Sequence, residues 1–233
     1  MNYAFILAGG VGSRMNMGSM PKQFLMVQDR PVISYCLEIF EKHELIDKIL
    51  IVVADEWRDF VEEWVEKEHI SKASFYAQPG RTRQYSIYSG LQALDGIAQI
   101  DDIVIIHDAA RPCVSDQIIT DCISGALEEE GAMPVITVKD TVYYSKDGKS
   151  IAGLLNRDEL FAGQAPESFR YGKYYRIHQE MPDEELEMIR GSSEIAYKKG
   201  MKIKLVQGSE GNIKITTLED LEKFRILLEN SRK

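Results

Sequence analysis

The feature that most constrains the fold is an alternation between short β-branched runs and segments of helical period. Tyr3 to Leu7, Lys48 to Val53, Ala73 to Tyr76, Ile103 to Ile106 and Pro134 to Val138 read as strands, the second and fourth strongly apolar. Apolar runs of this length fit strands buried in a sheet. Between them, Pro31 to Glu41, Glu56 to Glu68, Arg83 to Leu94 and Ser115 to Glu130 carry helical spacing, the first opened by proline and the last ending in an acidic turn. Strands alternating with helices predict parallel β-α-β units, hence an α/β fold with a doubly wound, mostly parallel sheet of Rossmann-like type. Such a sheet receives its ligands at the carboxyl ends of its strands.

Near Thr141 the pattern changes. Thr141 to Ser145 and Ser150 to Leu155 flank Lys-Asp-Gly-Lys, and Asp-Gly between extended runs is a hairpin signal. A β-hairpin arm leaving the main sheet is expected at about residues 138–160. It reads equally as an ordinary edge hairpin or as an arm reaching a second subunit. A helix from Tyr171, a solvated acidic face at Asp183 to Glu187, a strand at Lys202 to Val206 and a helix from Leu218 complete the reading. With no repeat, low-complexity tract or linker in the sequence, residues 1–233 are expected to form a single domain with the arm inserted.

The chain carries a formal net charge of -9, with 28 Lys+Arg against 37 Asp+Glu. That balance argues against a nucleic-acid or anionic-membrane binder, which needs clustered positive charge. No apolar run approaches the roughly 20 residues that span a bilayer, and the first ten residues lack the basic flank of a signal peptide. Cys36, Cys113 and Cys122 are odd in number and form no C-x-x-C pair, so buried free thiols are expected rather than disulfides or a zinc site. The cytoplasm follows as the expected compartment.

The sharpest local feature is Leu7-Ala8-Gly9-Gly10-Val11-Gly12-Ser13-Arg14-Met15, followed by Pro21-Lys22-Gln23. Three glycines directly after the first strand let backbone N–H groups approach an anion, and Arg14 and Lys22 add two cations. A P-loop is excluded because no Gly-Lys-Ser/Thr follows. The dinucleotide fingerprint fails too, since Met15 stands at the third glycine position.

This opening resembles that of nucleotidyltransferases that activate sugars and polyols. It is most similar to the CTP-dependent polyol-phosphate cytidylyltransferase family, which includes 2-C-methyl-D-erythritol 4-phosphate and ribitol-5-phosphate cytidylyltransferases. Further blocks of that family follow in order along nearly the whole chain: Gly80-x-x-Arg83-x-x-Ser86, His107-Asp108-Ala109-Ala110-Arg111-Pro112, Asp140-Thr141, Arg157, Gln164-x-Pro166-x-x-Phe169, and Gly208-x-x-x-Asn212-Ile213-Lys214-Ile215-Thr216-Thr217.

Several blocks also make sense unaided. Asp108 emerges at the carboxyl end of a central strand, where it can accept hydroxyl hydrogen bonds, and Arg111 can grip a phosphate bidentately. The plainer reading makes these two a local ion pair. His107, following a buried strand, reads as a packed histidine rather than a catalytic base. Arg83 and Ser86 sit one turn apart at a helix start, a place that favours anions. Lys214 falls in an alternating Ile-Lys-Ile-Thr stretch that reads as a half-exposed edge strand.

The resemblance implies that an acceptor phosphate attacks the α-phosphorus of CTP, giving a CDP-alcohol and pyrophosphate. It assigns Arg14, Lys22 and Lys214 to catalysis, with Mg2+ as cofactor held mainly by phosphates and Asp108 as a possible ligand. Leu7, Ala8, Gly9, Gly10, Gly12, Lys22, Gly80, Arg83, Ser86 and Ala109 would form the nucleotide site. Asp108, Arg111, Thr141 and Arg157 would hold the acceptor, the last two arriving from a partner's arm in a homodimer. The acidic surplus falls in segments such as Glu62 to Glu68, Glu128 to Glu130 and Asp183 to Glu187, apart from these cations.

Two departures stand out. Relatives carry Thr-Asp-Asp-Ala or Ser-Asp-Ala where spacing places Arg190-Gly191-Ser192-Ser193, and some carry Asp where Arg81 stands. The acceptor is therefore left open between methylerythritol 4-phosphate, ribitol 5-phosphate and another sugar phosphate. A non-catalytic nucleotide-sugar sensor is opposed by the retained cations, and an NAD-dependent oxidoreductase by the missing third glycine.

Overall fold

The computed structural model describes residues 1–10 and 20–230. In chain order the elements are β1 (Asn2–Leu7), a 3-10 turn (Lys22–Phe24), β2 (Met26–Val27), β3 (Arg30–Pro31), α1 (Val32–Lys42), β4 (Lys48–Val52), α2 (Asp55–Lys67), β5 (Ala73–Ala77), α3 (Arg83–Ala93), β6 (Ile103–Asp108), α4 (Asp116–Glu128) and β7 (Gly131–Thr137). There follow β8 (Tyr143–Tyr144), β9 (Gly153–Leu154), β10 (Phe161–Gly163), β11 (Glu167–Arg170), α5 (Tyr171–Glu180), α6 (Asp183–Met188), α7 (Ser192–Lys198), β12 (Ile203–Gln207) and α8 (Leu218–Asn230).

The main sheet runs β7-β11-β6-β1-β4-β5, with β12 and β10 also paired to β7. Pairs β1–β4, β1–β6, β4–β5 and β7–β12 are parallel. Strand β11 runs antiparallel between β6 and β7, which makes the sheet mixed on that side. The chain steps from β1 outward to β4 and β5, then returns to β6 on the other side of β1. That reversal opens a crevice beyond Leu7 and Asp108, the place where a doubly wound sheet holds its ligand.

Both faces of the central strands are covered, so successive residues go to opposite cores. Ala4, Ile6, Ile49, Ile51, Ile103 and Ile105 pack with Ile33, Leu37 and Phe40 of α1 and Ile119 and Ile123 of α4. Tyr3, Phe5, Leu50, Val52, Val104 and Ile106 pack on the other face with Ile87 and Leu91 of α3 and Tyr174 of α5. This is the physical reason these strands read as continuous apolar runs. Truncating a fully buried side chain such as Phe5 costs about 3–5 kcal/mol.

A third cluster decides where the last family block lies. Ile215, Leu221 and Phe224 pack against Leu25, Val27, Val32 and Tyr35, docking the start of α8 on the β2–β3 corner. Helix α8 opens with a capping box: Asp220 Oδ2 accepts from Thr217 N at 2.9 Å and from Thr216 N at 2.9 Å, while Thr217 Oγ1 accepts from Asp220 N at 3.2 Å.

The structure overturns some sequence expectations and agrees with others. Lys214 is not in a strand: Ile215 N donates to Ala110 O at 2.8 Å in a single loop contact, so the period-2 pattern reflects the buried Ile215 rather than a ladder. The Asp183–Glu187 segment lies in a short helix whose four acids are exposed, in keeping with a solvated face, and Glu187 pairs with Arg81 at 2.6 Å. Pro31 precedes α1 as its N-cap instead of occupying the first turn. The β8–β9 hairpin pairs only with itself, apart from the main sheet. Cys36 and Cys122 are buried and Cys113 half-buried, all unpaired; burial pushes the Cys113 thiol up to about 11.

Candidate active site

The crevice beyond β1 and β6 holds a cavity of about 310 Å³. Leu7, Gly9 and Gly10 line it from the β1 end, Lys22 and Gln23 from the 3-10 turn, and Gly80, Arg83 and Ser86 from the β5–α3 connection. Asp108, Ala110 and Lys214 close it. Two glycines are fixed by close approach. A Cβ on Gly9 would stand 2.2 Å from Pro79 Cβ, and one on Gly80 would stand 2.3 Å from Tyr85 Cβ. Only glycine lets the β1 loop and the β5–α3 loop meet as one wall.

Gln23 braces the same loop from below. Its Nε2 donates to Ala8 O at 2.5 Å and to Gly10 O at 2.9 Å. Ser86 Oγ accepts from Gly80 N at 3.1 Å and donates to Thr82 O at 3.0 Å, which ties the second loop to the start of α3. The N-cap there is Thr82, whose side chain accepts from Tyr85 N, so Ser86 is a loop clamp rather than a cap.

Asp108 is the electrostatic centre. Its Oδ1 accepts from Arg83 Nε at 3.2 Å, and its Oδ2 accepts from Lys214 Nζ at 2.7 Å. Arg111 Nε lies 3.8 Å from Oδ2, so the local pair expected from sequence is the weakest of the three. Burial alone would raise the Asp108 pKa. Arg83, Lys214 and Arg111 outweigh it and hold the carboxyl well below the usual carboxylate range. One anion thus gathers three cations from α3, the β6–α4 turn and the segment before α8.

The two arginines are separately braced. Arg83 Nη1 donates to Ser192 Oγ, and Arg111 Nη1 donates to Asn212 O at 2.7 Å. Asn212 Nδ2 donates to Ala165 O at 2.7 Å, while Gln164 Nε2 donates to Ser209 O at 2.8 Å and its Oε1 accepts from Ser209 N at 3.2 Å. The Gln164 block and the Gly208–Thr217 block therefore form one scaffold that aims Arg111 and Lys214. His107 is part of the frame: Nε2 bonds to Arg111 O at 3.0 Å, the ring lies 5.0 Å from that of Phe40, and burial lowers its pKa to about 4.

A second cavity, of about 280 Å³, adjoins the first. Arg83, Asp108 and Lys214 line both, so these three side chains form the common wall. Arg111, Met133, Gly163, Gln164, Glu167 and Arg190 line only the second among these two.

Of the residues expected from sequence, Leu7, Gly9, Gly10, Lys22, Gly80, Arg83, Ser86, Asp108, Arg111 and Lys214 converge here. Gly12 and Arg14 lie outside the described residues. Ala8 and Ala109 do not line either cavity; both are buried, with Ala8 N bonded to Val52 O and Ala109 N to Leu7 O, and Ala110 takes the lining position. Thr141 and Arg157 both line a separate hollow beside β9 that shares no residue with the central two. Arg157 Nη1 donates to Lys139 O at 3.0 Å.

Sequence reasoning gave no task to Gln23, Glu167, Ser192 or Asn212. Gln23, Ser192 and Asn212 were named within quoted stretches, and Glu167 fell on an unspecified position of the Gln164 block. The Glu167–Arg83 and Ser192–Arg83 contacts join residues far apart in the chain and leave no local signal.

A doubly wound sheet whose switch-point crevice has a glycine wall and cations from three separate segments, with Arg111 from a fourth in the adjoining cavity, has the form of an α/β nucleotidyltransferase. The profile of the IspD family, 2-C-methyl-D-erythritol 4-phosphate cytidylyltransferase, matches residues 3–230, and the chain belongs to that family. A ribitol-5-phosphate cytidylyltransferase of Streptococcus agalactiae is 33% identical over 97% of this chain and 95% of its own length. A 2-C-methyl-D-erythritol 4-phosphate cytidylyltransferase of Geobacter metallireducens is 36% identical over 94% of each. Among solved structures, a 4-diphosphocytidyl-2C-methyl-D-erythritol synthase aligns with a TM-score of 0.80 at 26% identity, covering 97% of this chain and 98% of that one. The Francisella tularensis 2-C-methyl-D-erythritol 4-phosphate cytidylyltransferase aligns at 0.78 with 27% identity, covering 95% and 97%.

Proposed function

We propose that this chain transfers CMP from CTP to a polyol phosphate, either 2-C-methyl-D-erythritol 4-phosphate or D-ribitol 5-phosphate, to give a CDP-alcohol and pyrophosphate. CTP occupies the glycine-walled cavity and the acceptor the adjoining one. The observation that carries this reading is their common wall of Arg83, Asp108 and Lys214. An oxygen of the acceptor phosphate bonds to the α-phosphorus there, the bond from that phosphorus to the bridging oxygen breaks, and pyrophosphate leaves in line.

The acceptor phosphate is already a competent nucleophile at neutral pH, so no strong base is needed. The barrier lies in bringing two polyanions together and in charge developing on the α-phosphoryl group. Lys22, Lys214 and Arg14 act on the triphosphate and the transition state, and Arg111 holds the acceptor phosphate. Asp108 keeps Arg83 and Lys214 in place before substrate arrives, so their orientation is set in advance. Buried His107, its pKa lowered to about 4, serves as packing and not as a base.

Mg2+ in this reading supplies charge to the phosphate oxygens. Among the described residues no group of three His, Cys, Asp or Glu could hold a metal, and both oxygens of Asp108 already accept from cations. The residues fit a magnesium ion that enters with CTP rather than one resident in a protein cage.

The same proposal includes a homodimer. Tyr143, Ile151 and Leu154 of the arm are 58%, 70% and 67% exposed, an apolar surface suited to a second copy. Crossing of the arms would bring Thr141 and Arg157 to the partner's acceptor cavity. Among the described residues no helix is long and apolar enough to cross a membrane, and the proposal places the enzyme in the cytoplasm, where CTP is available.

The test is pyrophosphate release from CTP with each of the two polyol phosphates, alongside calorimetry with CTP and NAD. Release with one acceptor, binding of CTP and no binding of NAD are expected. CTP binding without release under any acceptor would make the chain a sensor.

A further inference from the structure

Glu167 is the acid of the second cavity to which the reaction above gives no task. It lies on β11 and is only 8% exposed. One carboxylate oxygen is fixed: Oε2 accepts from the backbone N of Ser193 at 2.8 Å and from its hydroxyl at 2.6 Å. The other, Oε1, lies 3.6 Å from Arg83 Nη2, beyond hydrogen-bond reach. Ser193 belongs to the Gly191-Ser192-Ser193 stretch that carries no acid of its own, so this wall of the cavity draws its negative charge from β11.

An ionised carboxylate offers about four acceptor positions. Ser193 fills two of them, and Oε1, ion-paired with Arg83 at 3.6 Å, keeps room for a hydrogen-bond donor from the cavity that Glu167 lines. A ligand hydroxyl is the group that satisfies it. A phosphate is not, since like charges repel. The cavity thereby offers both kinds of group, Arg111 and Lys214 for a phosphate and the Glu167 carboxylate for a hydroxyl.

We propose that Glu167 reads the acceptor. Its Oε1 accepts a hydrogen bond from a hydroxyl of the polyol chain, which turns the phosphate towards Arg111 and Lys214 and disfavours acceptors with a second anionic group. The Ser193 contacts hold the carboxylate in that pose. This inference rests on the reading of the second cavity as the acceptor site.

The experiment is steady-state kinetics of pyrophosphate release by the intact protein and by Glu167→Gln, using the polyol phosphates named above and their mono-deoxy analogues. Glutamine keeps an oxygen for the Ser193 N–H while removing the charge. The variant is expected to raise KM for the acceptor about tenfold to a hundredfold, the range of a lost hydrogen bond to a charged group, while KM for CTP stays put. One deoxy analogue should lose the same factor with the unmodified enzyme and nothing further with the variant.

Unchanged acceptor KM in Glu167→Gln overturns the role, as does a joint rise in both KM values, which would mark mere support of Arg83. Should the variant fold poorly, the unmodified enzyme decides: if no deoxy analogue is penalised, Glu167 reads no hydroxyl. Turnover with any of these outcomes leaves the cytidylyltransferase reading standing. Absence of turnover with every polyol phosphate removes both.

Discussion

Replacing Lys214 with alanine separates the catalytic use of the cation cluster from its structural use. The Lys214 Nζ–Asp108 Oδ2 distance is 2.7 Å, but the lysine side chain is 37% exposed, so solvent screens the pair. Exposed ion pairs contribute about 0.2–1 kcal/mol to stability. Asp108 keeps Arg83 at 3.2 Å and Arg111 at 3.8 Å, so the buried carboxylate is not orphaned. For a chain of this size about 1 kcal/mol lowers Tm by roughly 2–4 °C. Loss of a group aimed at charge developing in the transition state costs far more, about 2.7–4 kcal/mol or 10²–10³ in kcat. Lys214→Ala should therefore melt within a few degrees of the unmodified protein yet lose about two to three orders of magnitude in pyrophosphate release. Thermal unfolding and a continuous pyrophosphate assay on the same preparation read both quantities. A kcat within a few-fold of normal would refute the reasoning and reduce Lys214 to a counter-ion of Asp108.

Three further outcomes are expected. Gly9→Ala drives a Cβ to 2.2 Å from Pro79 and should cost about 1–3 kcal/mol in urea unfolding, whereas Gly10→Ala meets nothing within 4 Å and should leave stability intact while raising KM for CTP; equal unfolding midpoints for the two would contradict the packing account. Asp220→Ala removes three hydrogen bonds at the start of α8 and should cost about 1–2 kcal/mol, seen as a lowered Tm. Burial lowers His107 and His178 to about 4 from an ordinary 6.5, so the unfolded chain binds more protons between those values. Their contribution to stability is complete above pH 6.5 and drains as pH falls towards 4, by a few kcal/mol per group. An NMR titration that found either ring protonating near its ordinary value would refute this.

What sequence could and could not display follows from the range of each interaction. The parallel strands were legible because burial on two faces leaves an unbroken apolar run, as in Ile103 to Ile106. Strand β11 was not, since it carries buried Glu167 and Ser168, and the side-chain partners of Glu167 lie elsewhere in the chain. Helix α7 is seven residues long, too short for its period to emerge. The Ile213-Lys214-Ile215 alternation gave a strand signal from a segment that makes no ladder, because one buried isoleucine mimics the pattern. The cations of the site could be named one by one from the glycine loop and the later blocks. Their meeting at Asp108 could not, because Lys214 lies 106 residues away and Arg83 lies 25 away.

The net charge of -9 does not conflict with a site for two polyanions, since cations line the crevice while acids such as Asp183 and Glu187 sit outside the two cavities. The most direct measurement of the central claim is a phosphorus NMR record of CTP, Mg2+ and a polyol phosphate incubated with the protein. The account requires CDP-alcohol and pyrophosphate to grow in equal amounts as CTP and acceptor decline together. Unchanged CTP with every polyol phosphate, or hydrolysis to CMP and pyrophosphate that ignores the acceptor, would contradict it.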